Sequence, residues 1–198
     1  AGSRLIATRH AWARARGIPW PEIQWPSVVM ELLPELATMD SARWTEFVYQ
    51  QLQTGRTLRM LPETASALRW LQQQGTLLGI ASNAQAYTLR ELEEALSGHA
   101  LSRELWDPDL CFWSYRHGFS KPDPHVFQLL TSRLETRGIA PGETLMVGDR
   151  LDNDVEPARA FGWRTWHLAA AGAGPAGGPW TALSEYLEAL RKVVLETA

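Results

Sequence analysis

This 198-residue sequence has one cysteine and no long apolar run, and each of these features argues against a class of protein. The single cysteine, Cys111, cannot form an internal disulfide, as is typical of a protein from the reducing cytoplasm. No run of about 18 apolar residues exists, so we expect no membrane-spanning segment. The formal net charge of -3 gives no electrostatic basis for binding nucleic acid. With 45% hydrophobic residues, the chain is predicted to be a globular cytoplasmic protein.

The first sixty residues carry helical patterns and no strand pattern. Apolar residues recur at helical spacing in 3–16, in 27–33 and from 41 onward, and glycines and prolines separate these segments. We therefore predict a small all-helical unit over residues 1–60.

From residue 62 onward, helical patterns alternate with short apolar runs that are typical of buried strands. These runs lie at 76–81, 110–115, 143–148 and 163–168. A Gly- and Pro-rich loop at 172–179 then precedes a last amphipathic helix. The alternation predicts an α/β fold over residues 61–198, a Rossmann-like parallel sheet with helices on both faces. Ligands of such sheets bind at the carboxyl ends of the strands.

Polar side chains follow three of these runs at the predicted strand ends. Ser82 and Asn83 follow the first run, Lys121 lies in the segment after the second, and a carboxylate cluster that begins at Asp149 follows the third. A hydroxyl and nearby backbone N–H groups bind phosphoryl oxygens, and lysine supplies a compact positive charge. Carboxylates hold Mg2+. Together the residues predict a site for a phosphoryl group and a divalent metal.

Most of these residues also have an ordinary structural explanation when taken alone. Ser82 or Asn83 can cap the next helix, and Lys121 can be a solvated surface residue. Asp154 can lie in the first turn of a helix, where the helix dipole favours an acidic group. Asp149 fits capping poorly, because it comes directly after a buried strand and a glycine. Their common order on consecutive strand ends favours the site.

Three segments carry a resemblance to a known family, and they read LGIASNA at 78–84, GFSKPDP at 118–124 and MVGDRLDNDV at 146–155. In these segments the chain resembles the haloacid dehalogenase-like hydrolases in their phosphatase form, and the resemblance extends over residues 62–168. It implies that Ser82 and Lys121 are catalytic and bind the phosphoryl group together with Asn83. It also implies that Asp149 and Asp154 bind Mg2+, and that residues 1–60 form a helical cap over the site.

The family's first motif, an Asp-x-Asp-x-Thr run at the end of a central strand, has no counterpart here. Its first Asp is the nucleophile that the resemblance implies. Only two Asp-x-Asp pairs exist, one beginning at Asp107, ahead of its apolar run, and one at Asp152, inside the third segment. We expect the motif to lie in an N-terminal segment not represented here, or to have been lost. Without its strand, the two strands that normally flank it keep unpaired edges.

The resulting expectation is a Mg2+-dependent phosphatase of a small phosphorylated metabolite, a monomer or homodimer, that is inactive without the nucleophile. A non-catalytic module that binds phosphate or a partner is the alternative. A metal-independent dehalogenase fits less well, because its fourth motif usually reads Ser-Asn-x-x-Asp where this chain has Gly148 and Asp149. His125 and Arg150 are secondary candidates for substrate contact, and Cys111 is predicted to be an unreactive thiol.

Overall fold

The computed structural model describes residues 1–53, 58–170 and 176–196. Residues 54–57 of the expected helical unit, and 171–175 and 197–198 of the expected α/β unit, lie outside the described residues.

The described residues form helices and short strands in alternation after residue 62. In chain order the helices are α1 (Gly2–Arg14), α2 (Trp25–Leu32), α3 (Ser41–Gln53), α4 (Pro62–Gln73), α5 (Thr88–Ser97), α6 (Ser114–His117), α7 (Pro124–Glu135), α8 (Glu156–Ala160) and α9 (Trp180–Glu196). The strands are β1 (Ile80–Ser82), β2 (Cys111–Trp113), β3 (Leu145–Gly148), β4 (Arg164–Leu168) and β5 (Gly177–Gly178). None of these described helices has the length and apolar character needed to cross a bilayer.

The amino-terminal part is helical, as the sequence predicts, and α3 lies against α5. The Tyr49 hydroxyl donates a hydrogen bond to the Glu94 carboxylate, and Arg90 forms an ion pair with Glu46 at 2.6 Å. Burial of the phenol, followed by its hydrogen bond to Glu94, raises the pKa of Tyr49 to about 12. These polar contacts attach the amino-terminal helices to the part of the chain that carries the strands.

All strand pairs are parallel, as predicted, but within the described residues the strands form two sheets instead of one. One sheet has the order β1-β2 and the other has the order β3-β4-β5. Ile80 pairs with Cys111 in the first sheet, and Leu145 pairs with Arg164 in the second. β1 and β3 therefore each have one edge without a ladder partner among the described residues.

One helix, α7, packs against both sheets. The buried cluster around Phe127 of α7 includes Phe112 of β2, and Ala81 of β1 and Met146 of β3 pack on the same cluster. Because side chains alternate between the two faces of a strand, Trp166 lies on the face opposite Met146. On that opposite face, Trp166 contacts Tyr186 of α9. In turn, α9 contacts α4, the helix that precedes β1.

Strand lengths differ from the sequence prediction where a pairing partner is not available. The run at 76–81 contributes only Ile80 and Ala81 to β1, because residues 108–110, which precede β2, form a 3-10 turn. β2 ends at Trp113 because α6 begins at the next residue. The predicted loop at 172–179 is wrong at Gly177–Gly178, which pairs with β4 as β5; residues 172–175 lie outside the described residues.

Candidate functional site

The predicted site residues lie at the carboxyl ends of β1 and β3. Ser82 and Gly148 are the last residues of these strands, and Asn83 and Asp149 follow them directly. Lys121 lies in the turn that precedes α7. The contacts of Lys121 join the ends of the two strands.

Asn83 holds the backbone of Lys121 through two hydrogen bonds. The Lys121 N–H donates to Asn83 Oδ1 at 2.7 Å, and Asn83 Nδ2 donates to the Lys121 carbonyl oxygen at 2.9 Å. The side-chain amide of Asn83 is thus engaged by protein. A contact between Asn83 and a phosphoryl group would come from its backbone N–H.

The Lys121 ammonium forms an ion pair with the Asp154 carboxylate. Only 10% of the Lys121 side chain and 6% of the Asp154 side chain are exposed. Lys121 Nζ contacts Asp154 Oδ1, and the Arg150 backbone N–H donates to Asp154 Oδ2 at 3.1 Å. Burial without a partner would strongly disfavour either charge, so each group depends on the other. The pair connects the turn before α7 to the segment after β3, residues that are 33 positions apart in the chain.

Gly148 is required by the position of Asp154. A Cβ atom at residue 148 would lie 2.4 Å from Asp154 Cβ and 2.5 Å from Oδ2. Any side chain there would displace the carboxylate that Lys121 binds. The glycine of the third resemblance segment therefore has a direct packing cause.

Asp149 and Ser82 are the predicted site residues with free polar groups. The Asp149 side chain is exposed, and within the described part of the chain its carboxylate has no hydrogen-bond partner. Its carbonyl oxygen lies 3.2 Å from His167 Nε2. The half-buried Ser82 hydroxyl likewise has no partner among the residues that the structure describes. Both groups are available to a ligand.

The candidate ligands for Mg2+ are two carboxylates, those of Asp149 and Asp154. Mg2+ normally takes one or two protein carboxylates and completes its shell with water and substrate oxygens. In residues 1–53, 58–170 and 176–196, no group of three His, Cys, Asp or Glu side chains is arranged around a metal position. Two carboxylates fit Mg2+ in chemistry and number, and water and substrate oxygens would supply the remaining ligands.

The secondary candidates have other contacts. His125 is 72% exposed at the side chain, and its Nδ1 lies 2.8 Å from Asp123 Oδ1. Arg150 forms an exposed ion pair with Asp152 at 2.6 Å. Burial raises the pKa of the Cys111 thiol, which agrees with the predicted low reactivity of this residue.

The sequence profile of the haloacid dehalogenase-like hydrolase family matches residues 11–162, which is most of the chain. The chain belongs to this family. The match includes all three segments that carry the site residues, so the resemblance inferred from them is confirmed at the level of the family.

Relatives of this haloacid dehalogenase-like hydrolase include phosphatases and dehalogenases. A phosphoserine phosphatase from Thermus thermophilus is 31% identical over 109 residues, which make up 55% of this chain and 40% of that protein. The match thus spans two fifths of that relative's length.

Solved structures of the family share the fold. An HAD phosphatase from Thermococcus onnurineus aligns with a TM-score of 0.54 and 24% identity, covering 81% of this chain and 80% of its own. An HAD family enzyme from Bacteroides thetaiotaomicron, in complex with magnesium and inorganic phosphate, gives 0.55 at 18% identity over 77% and 73%. A 2-haloacid dehalogenase from Pseudomonas syringae gives 0.55 at 21% identity over 83% and 70%. At these identities the likeness shows the fold alone.

Sequence reasoning missed one polar network in this hydrolase, centred on Glu22 between α1 and α2. Its carboxylate accepts hydrogen bonds from the Ser114 hydroxyl at 2.7 Å and from Gln85 Nε2 at 3.1 Å. Ser114 is fully buried, and its oxygen also accepts the Ala84 N–H at 2.8 Å. The network fixes the segment between α1 and α2 beside the residues that follow β1. No signal in the sequence marks Glu22, because it lies in a Pro-rich segment without periodicity.

Proposed function

We propose that this chain carries the phosphate- and Mg2+-binding part of a phosphatase that acts on a small phosphorylated metabolite. The observation that carries the proposal is the position of Lys121, which binds Asn83 after β1 and Asp154 after β3. The contacts of Lys121 thus join the strand end that carries the Ser82 hydroxyl to the segment that carries Asp149 and Asp154. The relation to phosphoserine phosphatase supports a phosphomonoester as the class of substrate.

Each site residue has a distinct role in this proposal. The Ser82 hydroxyl and the Asn83 N–H bind phosphoryl oxygens, and Lys121 offsets their negative charge. Asp149 and Asp154 hold Mg2+, which when bound would neutralise further phosphoryl charge. Residues 1–60 act as the cap over the site, and residues 61–198 act as the core.

The nucleophile has no candidate in the 198 residues, so this chain alone is expected to bind phosphate and hydrolyse no ester above background. The family resemblance implies that the nucleophile strand lies between the strands that carry Ser82 and Asp149. The unpaired edges of β1 and β3 support that position in one Rossmann-like sheet. Helices on both faces would then cover a continuous sheet.

Binding of inorganic phosphate in the presence of Mg2+, measured by isothermal titration calorimetry, tests the proposal. Lys121→Met should weaken binding about ten- to a hundredfold, because one charge-assisted contact of about 1.5–3 kcal/mol is lost. Asp149→Asn should remove the dependence of phosphate binding on Mg2+. Lys192→Met removes the same charge from α9 and should leave the affinity unchanged. Equal affinities of the two lysine variants would contradict the proposal.

A non-catalytic module that binds phosphate or a partner is the second candidate, since Lys121 and the carboxylates of Asp149 and Asp154 would bind an anion and a metal without turnover. A fusion that adds an apolar strand ending in Asp-x-Asp-x-Thr ahead of residue 1 separates the two. An enzyme core should gain Mg2+-dependent hydrolysis of p-nitrophenyl phosphate, and Lys121→Met should abolish that gain. A binding module should remain inactive after the fusion while still binding phosphate.

A further inference from the structure

We propose that a cavity between α5 and the β1-β2 sheet is a second ligand site, and that it binds a small aromatic carboxylate. The described residues that line the cavity include none of those assigned to phosphate or Mg2+. The proposal therefore does not depend on the phosphatase function.

The cavity lies on one face of the β1-β2 sheet. Ile80 of β1 pairs with Cys111 of β2. Because side chains alternate between the two faces of a strand, Ile80, Cys111 and Trp113 share a face, and all three line the cavity. Phe112 lies on the opposite face, in the buried cluster that includes Phe127 of α7.

The volume and the apolar lining of the cavity fit one aromatic ring with a short substituent. The volume is about 180 Å3. An apolar cavity of about 150 Å3 is large enough to hold benzene. Leu89 and Leu92 of α5 supply apolar side chains, and Trp106 and Trp113 supply two indole rings. Aromatic rings pack favourably against one another in offset or edge-to-face arrangements, so this lining favours a flat aromatic ligand.

The two indole N–H groups at the cavity have no hydrogen-bond partner among the residues that the structure describes. Trp113 is only 6% exposed, and Trp106 is half-buried. By contrast, the indole N–H groups of Trp163 and Trp166 donate to protein oxygens at 3.0 and 3.2 Å. A buried indole N–H normally has an acceptor. An oxygen atom of a bound ligand would supply the missing acceptor.

Two guanidinium groups at the cavity favour an anion. Arg103 Nε donates to the Glu93 carboxylate at 2.9 Å, and Arg116 Nε donates to the Tyr115 hydroxyl at 3.0 Å. The terminal nitrogens of both arginines have no partner in the described part of the chain. Since Glu93 offsets one of the two charges, one positive charge remains for a monoanion. Guanidinium groups bind carboxylates through paired hydrogen bonds, so a carboxylate fits this position.

The segment that links α5 to β2 is held in place without a ligand. The Asp107 N–H donates to the Leu78 carbonyl oxygen at 2.9 Å, and the Cys111 thiol donates to the Asp107 carbonyl oxygen at 3.3 Å. Arg137 binds the Asp107 carboxylate at 2.5 and 2.9 Å. These contacts fix the backbone next to Trp106. A wall that is already ordered lowers the entropic cost of binding.

Titration of the isotope-labelled chain with phenylacetate, followed by NMR of the indole N–H signals, tests the proposal. We expect a Kd of about 1 mM, which is reasonable for a ligand of about ten non-hydrogen atoms. The signals of Trp106 and Trp113 should shift. Those of Trp163 and Trp166 should not, because their N–H groups already have acceptors. Unchanged signals of Trp106 and Trp113 at about ten times this Kd would overturn the proposal.

Arg116→Met should weaken phenylacetate binding about tenfold or more, because a charge-assisted contact is lost. Arg16→Met is the matched control. The Arg16 guanidinium lies 3.7 Å from the centre of a Trp12 ring, but Trp12 is 60% exposed and does not line the cavity. This variant should bind phenylacetate like wild type. Equal Kd values for the two arginine variants would contradict the proposed role of the guanidinium groups.

Two further ligands test the chemical class. Phenylacetamide keeps the ring without the charge and should bind about tenfold more weakly than phenylacetate. Acetate keeps the charge without the ring and should leave the Trp113 signal unchanged. Binding of either compound as tight as that of phenylacetate would overturn the assignment. Shifts of Trp106 and Trp113 that appear without ligand as the chain self-associates would assign the cavity to a second copy instead. All samples omit phosphate and Mg2+, so the result is independent of the phosphatase proposal.

Discussion

The buried ion pair between Lys121 and Asp154 gives a quantitative prediction for stability. Its side chains are 10% and 6% exposed. Among the described residues, Lys121→Met leaves the Asp154 carboxylate with only the Arg150 N–H as a hydrogen-bond partner, and Asp154→Asn removes the carboxylate that pairs with the Lys121 ammonium. Removing one member of a buried pair typically costs about 3–5 kcal/mol. Each single variant should therefore lose about 3 kcal/mol or more of its free energy of unfolding.

The double variant should be less destabilised than the sum of the two single variants. With both charges removed, no unpaired charge remains buried, so we expect an interaction energy of about 1–3 kcal/mol in the double-mutant cycle. Urea unfolding followed by circular dichroism at pH 7, with a chelator present, measures all four proteins. The metal is excluded because Asp154 is also a proposed ligand.

Asp152→Asn is the matched control for this cycle. It removes an acidic group from the same segment, but the Arg150–Asp152 pair is 58% and 65% exposed at its side chains. Exposed pairs contribute little because water screens them, so this variant should unfold close to wild type. The reasoning would be refuted if Lys121→Met and Asp154→Asn unfolded at the same urea concentration as Asp152→Asn. Simple additivity of the two single variants would refute the coupling.

Two further predictions concern packing and pH. Gly148→Ala should lower the free energy of unfolding by about 1–3 kcal/mol, because the new Cβ would lie 2.4 Å from Asp154 Cβ. Gly142→Ala, where a Cβ meets nothing within 4 Å, is its urea-unfolding control, and equal effects would contradict the packing argument. The Arg137 guanidinium, which binds Asp107 at 2.5 and 2.9 Å, holds the pKa of that carboxyl below its usual 3.8. Wild type should therefore be more stable than Asp107→Asn above pH 3.8, and this advantage should disappear as the pH falls through the folded-state pKa of Asp107. The thermal midpoints of both proteins, measured between pH 2 and 7, test this. A difference in midpoint that stays constant over this range would be evidence against the pair.

The sequence alone was sufficient to predict the alternating α/β organisation and the strand ends at which the candidate side chains lie. Short apolar runs followed by Ser82, by the segment of Lys121 and by Asp149 are local signals, and parallel strands bring their carboxyl ends to one edge. The helices were predicted well for the same reason, since apolar spacing and a proline at the first turn are properties of neighbouring residues. Pro62 and Pro124 each begin a helix in the structure.

Strand limits were predicted less well, because a strand exists only where a neighbour can pair with it. The apolar residue Leu77 lies in the run that predicts the first strand, yet it is 44% exposed and precedes β1. Gly177 and Gly178 carry no strand signal, yet they pair with β4. Pairing depends on the position of a distant segment, which local composition does not encode.

The sequence determined which chemical groups reach the strand ends: a hydroxyl, an amide, one of only two lysines, and a pair of carboxylates. Only the tertiary structure decided how those groups are used. The Asn83 side chain is hydrogen-bonded to the Lys121 backbone, and the Lys121 ammonium is buried against Asp154. The Asp149 side chain remains exposed. The tertiary structure also leaves β1 and β3 unpaired with each other within the described residues. These contacts join residues more than thirty positions apart, so they depend on three-dimensional packing, whereas the groups themselves follow directly from the order of amino acids.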